Sequence, residues 1–334
     1  MFSIDKSSGL IKWFFALVVL AAFGTPPACG QTEISEVHVQ PRVLANPPQI
    51  LTSKSQGTIR KRVDLVLVPV TITDTMDHAI AGLDQSNFRV FEGKHPQEIK
   101  HFSSEDAPVS IGIILDMSGS MKAKLERARE AVLELCRTAN TEDEFFLIAF
   151  SDAPKMVQEF TQRVEDIQEK LLFVQPKGST ALLDAIYMGV DTMKMAKYQR
   201  RALVVISDGG DNHSRYTATE VKSLVKEADV LIYSVAIVDR YALTREEVLG
   251  PELLNEVSEV TGAQSFTLEN PKYLAAITHK IGTYLRHQYV LAYRPDTSQD
   301  DGKWRKIKVK MTLLPKGLPQ LLVHAKTGYY APTQ

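Results

Sequence analysis

The stretch VSIGIILDMSGSM, Val109–Met121, places a carboxylate at the end of an apolar run. The residues up to Leu115 have the continuous apolar character of a strand that is buried on both faces. Asp116 follows directly, and Ser118 and Ser120 come next at alternate positions. Because a buried carboxylate is costly unless it is paired, hydrogen-bonded or bound to a metal, this stretch predicts a compensating partner for Asp116 elsewhere in the chain.

Downstream of this strand, apolar strands alternate with helical patterns. The further strands predicted are FFLIAF, ALVVIS and VLIYSVAI, and helices are predicted over residues 121–139, 180–197 and 217–228 and from Asn270 to Arg286. Continuous apolar strands separated by amphipathic helices indicate a parallel sheet covered on both faces. Residues 107–286 are therefore predicted to form an α/β domain with a doubly wound, mostly parallel sheet.

The segments on either side read as β structure. The strands predicted before the α/β domain are VDLVLVPVTI, FRVF and QEIKHF, and those after it are YVLAY, KIKVKM and QLLVHA. Pro69 favours an edge position or a bulge, and Lys306, Lys308 and Lys310 alternate with apolar residues as on a half-solvated strand. Each segment is small for an independent core. Residues 58–106 and 287–332 are therefore expected to pair as one discontinuous β domain into which the α/β domain is inserted.

The N-terminus predicts export. Lys6 and Lys12 precede the apolar run WFFALVVLAAFG, and small residues follow it, which is the layout of a signal peptide over residues 1–30. An uncleaved membrane anchor and a lipidated Cys29 are the alternatives. Residues 31–57, rich in Pro, Ser, Thr, Asn and Gln, read as a flexible linker, and the expected location is secreted, periplasmic or cell envelope. Cleavage after Gly30 leaves Cys136 as the single cysteine, on the apolar stripe of a helix.

Composition excludes some classes of partner and cofactor. The formal net charge of −1 over 334 residues argues against nucleic acid or an anionic membrane surface as the main partner. The eight histidines include no H-E-x-x-H pair and no paired Cys/His spacing, so a zinc enzyme has little support.

Oxygen-bearing side chains follow three elements of the predicted sheet. Asp116, Ser118 and Ser120 follow the first strand, Thr180 opens the helix in GSTALLDAI, and Asp208 ends the strand in VVISDGGDN. Ligands of open α/β sheets bind at the carboxyl ends of the strands, where these loops meet. Two carboxylates and three hydroxyls are hard donors that suit Mg²⁺, with Mn²⁺ or Ca²⁺ as alternatives.

The order of these motifs resembles the von Willebrand factor type A (VWFA) domain. That resemblance covers about residues 107–286 and implies a metal-ion-dependent adhesion site. The three hydroxyls would bind the metal directly, Asp116 and Asp208 directly or through water, and an acidic side chain of a partner protein would complete the metal shell. The flanking segments, including GLDQSNFRVFEGK and DGKWRKIKVK, are similar to a secreted bacterial VWFA-related subfamily common in acidobacteria.

Simpler interpretations exist for individual residues. Ser120 could cap the helix predicted from Met121. Asp184 is expected to be a structural hydrogen-bonding group, and Asp211, Asn212 and His213 are expected to lie only at the rim of the site.

The sequence favours a metal-dependent protein-binding module, and not an enzyme. An accessory subunit of a cell-envelope or enzyme assembly would use the same site. The remaining alternative, a Mg²⁺-dependent phosphohydrolase with Asp116 as nucleophile, resembles the haloacid dehalogenase pattern, which needs a second Asp two residues later as general acid. That position is Ser118, whose hydroxyl is a poor acid near neutral pH. A G-x-S-x-G nucleophile elbow is also missing from the sequence.

Overall fold

The computed structural model describes residues 65–208, 210–238, 245–295, 301–312 and 320–331. The predicted signal peptide, residues 1–30, and the predicted linker, residues 31–57, lie outside the described residues. The described residues belong to one compact unit.

The described residues form the following strands and helices. The strands are β1 (Val66–Asp74), β2 (Phe88–Glu92), β3 (His95–Gln97), β4 (Ile99–Ser103), β5 (Val109–Asp116), β6 (Glu144–Phe150), β7 (Pro154–Thr161), β8 (Arg200–Ser207), β9 (Leu231–Ile237), β10 (Ser265–Leu268), β11 (Tyr289–Tyr293), β12 (Trp304–Met311), β13 (Leu321–Ala325) and β14 (Gly328–Tyr330). The helices are α1 (Leu125–Arg137), α2 (Val164–Phe173), α3 (Leu182–Thr192), α4 (Ala218–Glu227), α5 (Arg245–Thr261) and α6 (Leu274–Arg286).

A six-stranded sheet with the order β10-β9-β8-β5-β6-β7 confirms the predicted α/β fold. All neighbours are parallel except β6 and β7. From β5 the chain runs outward through β6 and β7 and then returns to the other side of β5 as β8. The carboxyl ends of β5 and β8 therefore lie side by side where the strand order reverses, which is where ligands bind in open α/β sheets.

Successive residues of β5 enter two separate cores. Ile111, Ile113 and Leu115 pack with buried side chains of α1, α2 and α6, whereas Ile114 packs with those of α3, α4 and α5. Cys136, on α1, is buried in the first core as its helical position predicts, and burial raises the pKa of its thiol to about 12. Helices thus cover both faces of the sheet, and this explains why every residue of β5 is buried.

Two antiparallel sheets combine strands from the two ends of the described chain. Their orders are β13-β1-β11-β4 and β14-β12-β2-β3. A third apolar core lies between them and includes Val68, Phe88, Leu291 and Val309. The pairing that a discontinuous β domain requires is therefore present, while the division of the chain into separate domains stays a prediction.

The α/β part begins and ends at one place in these β strands. Antiparallel β4 and β11 are neighbours, and Ser103, the last residue of β4, lies opposite Val290 near the start of β11. Residues 104–288 therefore leave and rejoin the sheet between adjacent strands. Several contacts join the two parts. Among them, Tyr284 donates a hydrogen bond to the carbonyl oxygen of Asp77 at 2.7 Å, and Gly262 lies directly against the backbone of Ala325 and Lys326.

The structure corrects two details of the β prediction. QEIKHF is not one strand: its start belongs to β3, which pairs with β2, and its remainder is β4, which pairs with β11. Strand β1 lies between β13 and β11, so the prediction of an edge position for the strand that contains Pro69 is wrong. Pro69 is nevertheless paired only with β11, because the pairing of β1 with β13 starts at Val70. Its missing N–H therefore does not interrupt the pairing of β1 with β13.

The predicted helices exist, but three of them include short 3₁₀ segments. The segment predicted as a helix over residues 121–139 follows the start of a 3₁₀ turn, Gly119–Ala123, that precedes α1. The 180–197 segment ends in another, Met193–Met195, and the helix predicted from Asn270 starts with a third, Pro271–Tyr273. Helices α2 and α5 and strands β7, β10 and β14 were not predicted. In the described part of the chain, no helix has the length and apolar character needed to cross a membrane.

We predict that deleting residues 287–334 will make the protein aggregate, because β1 would lose both of its neighbours and β2 would lose β12. The fragment 107–286 should remain soluble and unfold cooperatively, since both of its cores would be retained. Size-exclusion chromatography and chemical denaturation would measure both results. A soluble, cooperatively folded chain that ends at Arg286 with its N-terminal segment intact would contradict the predicted mutual dependence.

Candidate metal centre

Asp116 is fully buried at the carboxyl end of β5 and has a hydrogen bond on each oxygen. The backbone N–H of Ser118 donates to Oδ1 at 2.8 Å, and the hydroxyl of Ser207 donates to Oδ2 at 2.5 Å. Burial, with a smaller contribution from the nearby charge of Asp208, raises the pKa of the Asp116 carboxyl to about 6 against the lowering effect of the hydrogen bonds. Two hydrogen bonds therefore offset the burial of the carboxylate only in part.

Hydrogen bonds through Ser118 and Ser120 connect Asp116 to Asp208, the first through the backbone N–H of Ser118 and the others through the serine hydroxyls. The hydroxyls of Ser118 and Ser120 are 3.0 Å apart, and Ser120 Oγ donates to Asp208 Oδ1 at 2.8 Å. Ser118 occupies the N-cap position of the 3₁₀ turn without a side-chain capping bond. The Ser120 hydroxyl is directed to a carboxylate on the neighbouring strand, so this contact does not support helix capping as its role.

The loop that carries Thr180 is held against the other two loops by backbone hydrogen bonds. Lys177 N–H donates to the carbonyl of Met117 at 2.8 Å, and Gly119 N–H donates to the carbonyl of Gly178 at 3.0 Å. On the other side, Thr180 N–H donates to Asn212 Oδ1 at 2.9 Å, and Asn212 N–H donates to the carbonyl of Thr180 at 3.0 Å. The three loops predicted to meet at the sheet edge are therefore directly connected, and Thr180 is buried between them.

Gly178 is required for this arrangement. Its φ of 79° lies in the left-handed region, and a Cβ atom there would lie 2.5 Å from Asp152 Oδ2. Asp152 Oδ1 accepts a hydrogen bond from Ser179 N–H at 2.7 Å, and this bond lowers the pKa of Asp152. The carboxylate of Asp152 thus holds the turn that precedes Thr180.

Asp184 and Asp211 stabilise the backbone. Asp184 Oδ1 accepts hydrogen bonds from the N–H groups of Arg215 and Tyr216, so its predicted structural role is confirmed. Asp211 Oδ1 accepts hydrogen bonds from Leu183 N–H and from the hydroxyl of Ser214. The residues after Asp208 therefore do more than line a rim: they attach this loop to the start of α3.

Sequence reasoning missed Ser207 and Lys124, which contact the site, and placed Asn212 only at its rim. Ser207 and Asn212 bind Asp116 and Thr180 through the hydrogen bonds described above. Lys124 forms an ion pair with Asp208 through its ammonium group. Lys124 and Asp208 are 84 positions apart in the chain, so only the fold reveals their contact. Ser207 precedes Asp208 in the quoted motif, and a polar residue ending an apolar strand was the available signal.

The side chains at this edge are suited to a hard divalent cation. The five residues Asp116, Ser118, Ser120, Thr180 and Asp208 offer carboxylate and hydroxyl oxygens, which Mg²⁺ prefers over nitrogen or sulfur. Within the described ranges, no cluster of three or more His, Cys, Asp or Glu residues could hold a metal, so a site built from such residues alone finds no support there. The raised pKa of Asp116 also fits, since a cation would supply the positive charge that this carboxylate lacks.

Comparison with known proteins identifies the type of domain. The family model of the von Willebrand factor type A domain matches residues 111–210, which begin in β5 and end just after Asp208. Inter-alpha-trypsin inhibitor heavy chain H4 of Sus scrofa is 24% identical over 132 residues, 36% of this chain and 14% of the relative. An uncharacterized protein of Borreliella burgdorferi is 25% identical over 188 residues, 49% of this chain and 55% of that protein.

Similar folds occur among solved structures. A von Willebrand factor type A structure from Catenulispora acidiphila has a TM-score of 0.47 and 12% sequence identity, covering 81% of this chain and 74% of that chain. The chain spans only a small part of the inhibitor heavy chain and about half of the Borreliella protein.

We predict that Asp116→Asn will stabilise the metal-free protein at neutral pH. The folded pKa, about 6, is raised above the unfolded value of about 4, so ionisation opposes folding. The loss of stability that the ionised Asp116 carboxylate causes in the wild type is absent below pH 4, grows between pH 4 and 6 and is complete above pH 6. Two pKa units correspond to about 3 kcal/mol, which is the upper limit of the gain.

Chemical denaturation in EDTA at pH 4 and pH 7.5 would measure this difference. Asp152→Asn is the matched control, and it should lower the stability at pH 7.5 instead of raising it. The pKa of Asp152 is lowered in the folded protein, so its carboxylate favours folding above pH 4. An Asp116→Asn variant that is less stable than wild type at pH 7.5 would contradict the prediction.

Proposed function

The chain contains a von Willebrand factor type A domain, and from this premise we propose that it is an exported, metal-dependent protein-binding module. The family consists largely of interaction and adhesion modules. In our proposal a divalent cation, Mg²⁺ first and Mn²⁺ or Ca²⁺ as alternatives, binds at the carboxyl edge of β5 and β8. An acidic side chain of a partner protein completes the coordination of this cation.

The observation that carries the proposal is the hydrogen-bonded connection between Asp116 and Asp208 through Ser118 and Ser120. The contacts run from Asp116 to Ser118, from Ser118 to Ser120 and from Ser120 to Asp208. If the serines only capped a helix, their hydroxyls would not be expected to connect a carboxylate on one strand to a second carboxylate after the neighbouring strand. Thr180, the fifth proposed ligand, is buried, and its loop is hydrogen-bonded to both other loops.

The roles of the five residues follow from their charge. Ser118, Ser120 and Thr180 would supply neutral hydroxyl oxygens, and Asp116 and Asp208 would supply the negative charge that attracts the cation. The cation would act as a Lewis acid for the partner's carboxylate, so that binding depends on the metal. Because few protein groups bind the cation in this scheme, a coordination position remains for the partner.

Exposure of Asp116 to a substrate, which the phosphohydrolase alternative requires, receives no support. Each oxygen of Asp116 already accepts a hydrogen bond, and the position of a general acid is occupied by Ser118. Binding therefore remains the proposed function, and an accessory subunit of a cell-envelope assembly is a form of the same function.

The proposed location is secreted, periplasmic or cell envelope, and it rests on the signal-peptide pattern. We predict that exported protein will begin at Gln31, because the small residues of ACG precede it. Intact-mass spectrometry of the exported protein would measure this. A mass that retains Trp13–Gly24 would contradict cleavage and favour an anchor, and a lipid adduct on Cys29 would indicate a lipoprotein.

We predict that partner capture will require Mg²⁺ and Asp116. Pull-down from cell-envelope extracts with the wild-type chain should retain a partner in Mg²⁺ and lose it in EDTA, whereas Asp116→Ala should lose it in both. Ser118→Ala and Thr180→Ala should weaken cation binding less, because each removes a neutral donor. Mg²⁺ should raise the Tm of the wild type and leave that of Asp116→Ala unchanged, since a ligand stabilises the state it binds.

Asp184→Ala is the control for structural damage. It should lower the Tm in EDTA because the backbone around Arg215 loses its acceptor, yet the protein that remains folded should still bind the cation. Equal partner capture in Mg²⁺ and EDTA, with Asp116→Ala binding like wild type, would overturn the proposed function.

A further inference from the structure

A positively charged side chain of the chain itself lies at the proposed metal site. The ammonium group of Lys124 is paired with Asp208 Oδ2. The Asp208 side chain is only 1% exposed and that of Lys124 is 20% exposed, so this ion pair is largely shielded from water. Its electrostatic interaction is therefore stronger than that of a solvent-exposed pair.

The backbone at Lys124 is held independently of this ion pair. Lys124 N–H donates to the carbonyl of Met121 at 2.9 Å, and the carbonyl of Lys124 accepts from Ala128 N–H at 3.0 Å. The residue joins the 3₁₀ turn to α1, and its side chain reaches Asp208 from this fixed position. The side chain is flexible enough to leave Asp208 without any change in the main chain.

Both oxygens of Asp208 are already used by the chain. Oδ1 accepts from the Ser120 hydroxyl and Oδ2 binds the Lys124 ammonium. Asp116, the other carboxylate of the site, has only neutral hydrogen-bond donors in the contacts described above. An ammonium group on Asp208 and a divalent cation between the two carboxylates would repel each other and would compete for the same carboxylate.

We propose that Lys124 is a built-in competitor of the divalent cation, occupying Asp208 until the cation displaces it. This inference rests on the proposed function, because it concerns the same metal site. It assigns Lys124 two effects: it stabilises the metal-free protein by neutralising Asp208, and it weakens cation binding. After displacement, its ammonium group remains at the edge of the site, where it faces the acidic partner that the cation attracts.

The test compares Lys124→Gln with Lys122→Gln in the full chain. Lys122 is exposed and only two positions away, so its variant removes the same charge without removing the ion pair. Isothermal titration with Mg²⁺ and with Mn²⁺ should give a Kd about tenfold lower for Lys124→Gln than for wild type, since one shielded ion pair changes an equilibrium constant by about this factor or more. Lys122→Gln should change the Kd by less than about twofold.

A second readout does not involve the metal. In EDTA, Lys124→Gln should lower the Tm, because Asp208 loses its counter-ion, and the Tm increase on adding Mg²⁺ should be larger than in wild type. Lys124→Met, which keeps the side-chain length without charge, serves as the replacement if the glutamine variant does not fold. Lys124→Arg should behave like wild type in both measurements.

The outcomes separate this inference from the proposed function. If wild type binds Mg²⁺ and Lys124→Gln binds it no more tightly, the competition is refuted and the metal site stands. If Lys122→Gln tightens binding as much as Lys124→Gln, the effect is one of general charge and the competition is again refuted. If neither wild type nor variant binds Mg²⁺ or Mn²⁺, the proposed metal site fails and the competition fails with it.

Discussion

The burial of the Asp116 carboxylate at the end of β5 is the constraint on which the rest of the site depends. The strand that carries it is buried over its whole length, because helices cover both faces of the central sheet. A charge at the end of such a strand has little water around it, so its energy is determined by protein donors. The hydroxyl of Ser207 and the backbone of Ser118 supply these donors. Ser207 ends β8 directly before Asp208, and Ser118 lies in the loop after β5, so both donors lie at the edge where a cation would bind.

Parallel strands explain why three distant segments meet at this edge. In a doubly wound sheet, every parallel strand ends on the same side, and the reversal of strand order separates the loops after β5 and β8. The Thr180 loop then closes the site through backbone hydrogen bonds to both neighbours. The hydroxyls and carboxylates consequently lie on loops whose positions are set by the sheet, as is typical of functional residues on a rigid scaffold.

The sequence predicted the parts of the fold that depend on continuous apolar runs or on strong helical periodicity. Strands β5, β6, β8 and β9 belong to the first class, and the site residues that end these strands were found with them. Strand β7 was missed because its residues are only partly buried and it pairs on one side alone. The division of QEIKHF between two sheets was missed because the sequence pattern of a strand does not indicate which other strand it pairs with.

The site was predictable to the extent that its residues share a local motif. The ion pair between Lys124 and Asp208 was not predictable, because it joins the start of a helix to the loop after a distant strand. A lysine at the start of a helix is equally consistent with a solvent-exposed position. Asn212 was placed only at the rim because its contact with Thr180 is also long-range. Its side-chain oxygen accepts from Thr180 N–H, and the two residues are 32 positions apart. Long-range side-chain contacts require the three-dimensional arrangement.

The pairing of β4 with β11 has a consequence for how such a chain can evolve. Ser103 lies opposite Val290, so residues 104–288 occupy the position at which two antiparallel strands are usually joined by a hairpin turn. The order of the β strands would be the same if a few turn residues replaced this whole segment. The α/β part is therefore topologically a very large turn insertion, and it could be gained, lost or exchanged as a unit without any change in the order of the strands that support it.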